Sequence, residues 1–118
     1  MPTLEQQRAQ FAWEHVRQCE PAYLDRYKPL SKGAPALIMN NGLMQALAFY
    51  EYKGESHHKA LSAHIRRWLR ERRLVDGESF EAVMQSLHGM DAAGFRRATE
   101  EALELLKWIR QYASAVAL

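Results

Sequence analysis

Cysteine occurs once in the 118 residues, at Cys19. No intrachain disulfide can form, which excludes a secreted disulfide framework and a cysteine-rich zinc site and points to a reducing compartment. No stretch approaches the roughly 20 apolar residues needed to span a bilayer. The start, Met1-Pro2-Thr3-Leu4-Glu5, lacks the basic residues and apolar run of a secretory signal. The sequence therefore predicts a cytoplasmic protein without a membrane segment. Also lacking are a glycine-rich phosphate loop, a nucleophile elbow and a paired-carboxylate signature, so a binding role is expected rather than catalysis, with no cofactor. The net charge of +2 is too small by its sum alone to announce a polyanionic partner.

What is present is apolar and helical in its spacing. An apolar fraction of 47% with three Trp, five Tyr and four Phe supplies enough buried surface for a folded chain, and the length suits one domain over residues 1–118. Thr3 followed by Gln6 is a capping box that opens a first helix. Leu4, Ala12, Val16, Cys19 and Tyr23 make its stripe. Pro21 kinks or ends that helix, and a loop is expected near residues 26–34.

From about Pro35 to the stop at Gly54, an almost wholly apolar run reads as a central buried helix. Asn41-Gly42 is a strong hairpin signal. The flanking Ala, Leu, Met and Gln, with almost no β-branched residue, favour a helix kinked there instead. Ser56 is read as the cap of a third helix with Leu61, Ile65, Trp68, Leu69 and Arg72 on one side. Ser79 caps a short fourth with Phe80, Val83, Met84 and Leu87 inward. Asp91 caps the last, with the stripe Phe95, Ala98, Ala102, Leu105, Leu106, Ile109, Tyr112, Ala113 and Val116. The prediction is an all-α, single compact bundle of five or six helices.

Charge is distributed unevenly. Residues 57–75 hold six of the chain's 16 bases against one acid, Glu71. On a helical projection Lys59, Arg66, Arg67, Arg70 and Arg73 gather on a ridge opposite Leu61 and Ile65, while Arg72 lies on the apolar side with its stem over Trp68. A solvated helix face is the plain reading. The lack of compensating acids and the preference for arginine, whose planar guanidinium suits phosphate, favour phosphate contacts that track backbone charge without reading bases. Arg96 and Arg97, near the start of the last helix, are read as solvated. A free-standing DNA-binding regulator using residues 57–75 in a major groove is the alternative, weakened by the scarcity of base-reading Asn or Gln.

No metal site is expected. His57, His58 and His64 lack the i,i+4 pair that sets two imidazoles on one helix face, which weakens a third reading, a metal-dependent enzyme built on them and an acid. His57 and His58 are read as exposed first-turn residues. Cys19, on an apolar stripe, is read as inert packing, and Trp13, off the main stripe, as a partner contact.

Residues 27–54, with the core Asn41-Gly42-Leu43-Met44-Gln45-Ala46-Leu47-Ala48-Phe49, and residues 97–110, with Thr99-Glu100 and Trp108, carry a further signal. They resemble the small-subunit family of Cmr-type (type III-B) CRISPR complexes. The resemblance implies an all-α fold, several copies stacked within a ribonucleoprotein, and partners that include guide RNA, target RNA, and the backbone and large subunits. It also implies antiviral defence without catalytic residues in this chain, since target cleavage and signalling belong to other subunits.

Overall fold

Thr3 accepts from the Gln6 backbone N–H through its hydroxyl, and the Gln6 side chain accepts from the Thr3 N–H at 2.7 Å. This reciprocal cap opens α1 (Leu4–Arg17) in a computed structural model that describes residues 1–116, so the last two positions of the expected 1–118 unit lie outside it. Five more helices follow: α2 (Pro21–Asn41), α3 (Leu43–Lys53), α4 (Ser56–Glu71), α5 (Phe80–His88) and α6 (Ala92–Val116). Among the described residues there is no strand. The all-α bundle expected from periodicity is what forms.

Pro21 opens α2 as its first residue, where a missing N–H costs nothing. The loop expected at 26–34 is absent, because α2 runs through Pro29 and Pro35. Each proline removes an intrahelical donor and disfavours helix in the residue before it. Packing overrides that local preference: Tyr27, Ser31, Ala34 and Ile38, at helical spacing, are all buried, and α2 lies against α4 and α6. Ser31 itself is accommodated by donating to the Lys28 carbonyl at 2.8 Å.

The expected kink at Asn41-Gly42 is a full break between two helices. Gly42 has φ +90°, a conformation that side-chain-bearing residues rarely adopt, and its N–H donates to the Ile38 carbonyl. Gly54, left-handed at φ +67°, ends α3 as expected. Ser79 and Asp91 cap α5 and α6, accepting from the Ala82 and Gly94 N–H groups at 3.1 and 2.8 Å. Ser56 does not cap α4. It is the first helical residue, Glu55 occupies the cap position, and no side chain bonds the free donors there.

α6 packs against α1, α2 and α4, while α2 and α3 cover further sides of α4. Leu61, Ile65, Trp68 and Leu69 of α4 meet Leu105, Leu106 and Ile109 of α6 in one buried cluster. At its edge Arg8 of α1 grips the Glu101 carboxylate with two bonds, at 2.8 and 2.9 Å, and the Trp68 indole N–H donates to the same carboxylate at 3.0 Å. Three helices share one buried acid. The bonds from Arg8, then that from Trp68, hold the Glu101 pKa below the ordinary carboxylate value against the opposing effect of burial. Deleting one partner of such a pair strands the other, so Glu101→Gln should cost about 3 kcal/mol and lower Tm by about 10 °C, as read by circular dichroism. A change under about 2 °C would remove this ion from the account of stability.

A second polar contact lies deeper. The Tyr27 hydroxyl of α2 meets His64 Nδ1 of α4 at 2.8 Å, and burial, then the charges of His15 and Arg67, push the His64 pKa down to about 3. An unfolded histidine takes up its proton near pH 6.5 and the folded one does not, so stability is present above that pH and falls on acidification. Between about pH 6.5 and 4.5 the loss attributable to His64 should approach 1.4 kcal/mol per pH unit. Below that range Glu101 adds to it, since a depressed carboxylate pKa contributes stability that is lost as pH falls through the folded value. Urea titrations across this range should show the slope reduced in His64→Gln; an unchanged slope would assign it elsewhere.

Candidate nucleic-acid interface

α4 is amphipathic because its sequence alternates Leu61, Ile65, Trp68 and Leu69 with bases at helical spacing, and α2, α3, α5 and α6 pack against it. The ridge that remains is not uniform. Lys59, Arg67, Arg70 and Arg73 are exposed. Arg66 is turned inward: its side chain is 13% exposed, and it donates to Glu51 at 3.3 Å, to the Ser62 hydroxyl at 3.1 Å and to the Glu78 carbonyl. Burial, the largest influence, lowers its pKa against the Glu51 charge. Arg66 thus ties α4 to α3 and to the segment before α5.

Arg67 and Arg70 both approach Glu78, at 3.8 and 3.7 Å, with side chains about half exposed. One solvated carboxylate between two guanidiniums at such distances neutralises little. Lys59 and Arg73 form no ion pair with any described carboxylate. Arg70 and Arg73 flank a shallow hollow whose other walls are Glu71, Val75 and Asp76.

Arg73 has a backbone that sequence reasoning missed. It lies beyond the end of α4 with φ +59°, among the described residues the one non-glycine residue in the left-handed region. Its N–H donates to the Arg70 carbonyl at 2.8 Å and the Leu74 N–H to the Leu69 carbonyl at 2.9 Å. That pair of bonds defines a helix terminus at which glycine is the usual residue. An arginine there is strained by about 1 kcal/mol, and the strain fixes where its chain leaves the helix. A φ above zero at a non-glycine residue carries no periodic signal, so spacing alone holds no hint of it.

The Arg72 stem is half-buried, and its Nε has no hydrogen-bond partner. With Arg8, Arg97 and Lys107 it lines a hollow that also holds Glu5, Glu100, Glu101 and Glu104, so the signs there are mixed. Arg96 and Arg97 are exposed, as expected. Trp13 is 39% exposed and meets Tyr112 edge-on at 5.2 Å, with the Arg17 guanidinium 5.3 Å over its ring. The Trp108 indole donates to Glu5.

One histidine expectation needs correction. His57 and His58 are buried, with rings 4.2 Å apart and His58 facing Tyr50. His64 lies apart from them, with Tyr27 and His15. Cys19 packs as expected: it is buried, and burial pushes its thiol up to about 11.

Residues 4–116 match the family described as CRISPR-associated protein (Cas_Cmr5). A Thermus thermophilus protein named CRISPR system Cmr subunit Cmr5 is 32% identical over 117 residues, covering 98% of this chain and 97% of its own length. The crystal structure of a CRISPR-associated Cmr5 family protein, also from Thermus thermophilus, superposes with a TM-score of 0.83 at 27% identity, covering all of both chains. The motif in α2 and α3, the closing helix and the six-helix architecture thus converge, and the chain belongs to the Cmr5 family of CRISPR-associated proteins.

Proposed function

We propose that the chain is the non-catalytic small subunit of a type III-B CRISPR ribonucleoprotein for antiviral defence in the cytoplasm. In this reading it stacks with further copies of itself beside the backbone and large subunits and steadies guide and target RNA through phosphate contacts. Family membership supports assembly in a Cmr complex. The observation that carries the RNA contact is the outer flank of α4, where Lys59, Arg67, Arg70 and Arg73 face solvent with Glu78 as their one ion-pair partner among the described residues. Arg66 supports the flank from behind, because its guanidinium is already engaged.

Phosphates on an RNA strand recur at spacings that several arginines on one ridge can follow, and neutralising them releases condensed counterions. Such contacts are insensitive to base identity, which suits a subunit whose complex takes its sequence information from pairing between guide and target. Trp13, exposed beside Tyr112 on the α1–α6 side, is proposed as a contact to a neighbouring subunit. Nothing in the geometry favours the duplex-reading regulator: α4 is packed against α2, α3, α5 and α6 and offers its arginine flank rather than a projecting helix.

Charge reversal at Arg67, Arg70 and Arg73 in the assembled complex should weaken RNA association and flatten its salt dependence, the logarithmic slope falling by about 0.7–0.9 for each phosphate left unneutralised. Equal affinity and slope would remove the flank from the RNA-binding surface. Arg73→Gly separates the two roles of that residue. It should raise the stability of the isolated chain by about 0.5–1 kcal/mol by relieving the left-handed strain and weaken RNA binding by the complex, as read by thermal melts and fluorescence anisotropy.

A further inference from the structure

We propose that Glu55, His57 and His58 form a binding site for one divalent transition-metal ion of the zinc class at the corner between α3 and α4. One donor atom from each residue lies within 4.8 Å of the other two. A carboxylate oxygen of Glu55 stands 3.9 Å from His57 Nε2 and 3.7 Å from His58 Nδ1. Two imidazoles on one helix face ordinarily need positions i and i+4. Here they are adjacent in the first turn, and the third donor comes from the cap residue before it, an arrangement the helical projection does not display.

The second observation is an orphaned atom. His58 is 6% exposed, and its Nδ1, aimed at this corner, has no hydrogen-bond partner although it is buried. Buried polar atoms are almost always satisfied, and an unsatisfied one costs about 1–3 kcal/mol. Protonation by way of Glu55 is one remedy. It is opposed by burial of the ring, by His57 and Lys53 beside it and by the positive end of the α4 dipole. A metal ion is the other remedy, since a bare imidazole nitrogen is the atom that ligates one.

Two imidazoles and one carboxylate suit zinc or its neighbours in the first transition row, with three protein ligands leaving a position open for water. A hollow lined in part by Glu20, Tyr23, Arg26, Glu55 and His57 gives the ion its way in from solvent. Ligands of a tetrahedral ion with bonds of about 2.0–2.1 Å sit roughly 3.3 Å apart, so the Glu55 oxygen must close on each imidazole by about half an ångström and the two imidazole donors on each other by up to about 1.5 Å. Glu55, 56% exposed, supplies its own part of that movement and turns of the two imidazole rings the rest, and Arg26, 3.9 Å from Glu55 and 71% exposed, can swing away as the ion arrives. The movement and the displaced Arg26 lower the affinity below that of a preformed site. Because the ion binds the folded corner, it should also raise Tm.

Titration of the untagged full-length chain with zinc chloride, followed calorimetrically and by NMR of the histidine rings, tests the site. One equivalent should bind, shifting the ring signals of His57 and His58 and leaving those of His15, His64 and His88 in place. Glu55→Gln, at an exposed side chain whose loss leaves the core intact, should weaken binding by about tenfold or more, as should His58→Gln, whereas His88→Gln should leave it unchanged. No saturable binding below about 1 mM, or wild-type affinity in Glu55→Gln, would overturn the proposal. Glu55→Gln decides the matter alone if the His58 variant does not fold.

Discussion

One buried carboxylate sets the relation between three helices. Glu101, on the inner side of α6, receives two bonds from Arg8 of α1 and one from Trp68 of α4. A carboxylate cannot be left unpaired at 8% exposure without a cost of several kcal/mol, so each donor must be where it is. Apolar packing between α4 and α6 tolerates rotation and sliding by fractions of a turn, whereas a bidentate guanidinium and an indole N–H on the same acid do not. The ion therefore adds direction to a core whose cohesion comes from Leu61, Ile65, Leu69, Leu105, Leu106 and Ile109. Fixing Trp68 fixes the rotation of α4, and the rotation of α4 decides which of its bases face outward.

The Tyr27–His64 contact acts one turn earlier on nearly the same face of the helix. His64 precedes Trp68 by one turn, so α4 is held to α2 at one level and to α6 at the next. Both contacts depend on a defined protonation state, a neutral imidazole in one and an ionised carboxylate in the other. They weaken in the same direction on acidification, and the orientation of the arginine flank weakens with them.

Most of this architecture is legible in the sequence because it follows from periodicity and caps. The Thr3–Gln6 box, the Ser79 and Asp91 caps, the stop at Gly54 and the apolar stripes of α4 and α6 are local signals that tertiary structure respects. Composition around Asn41-Gly42 argues against a hairpin and none forms, while φ +90° at Gly42 explains why the pair nonetheless interrupts the helix. Two of the failures share one cause, local preference overruled by burial. Pro29 and Pro35 argue for a loop until Tyr27, Ala34 and Ile38 are seen buried against neighbouring helices. His57 and His58 look like first-turn surface residues until Tyr50 of α3 is placed beside His58. The strained backbone of Arg73 leaves no trace in spacing at all.

Counting arginines along residues 57–75 treats them as equivalent, and the fold separates them into kinds. Arg66 is engaged internally by Glu51 and the Glu78 carbonyl, and Arg72 lies half-buried at a hollow with as many acids as bases. Arg67 and Arg70 share one solvated acid, and Arg73 has none among the described residues. The five bases of the expected ridge thus become four outward-facing ones, Lys59 included. That reduction is not a weakening of the surface. A guanidinium anchored beneath neighbouring open ones restrains the helix that carries them and lowers the ordering entropy left for a bound polyanion to offset. Net charge of +2 conceals this arrangement, because the acids of the chain are concentrated elsewhere, and what a phosphate backbone would meet is the local excess that the orientation of α4 turns outward.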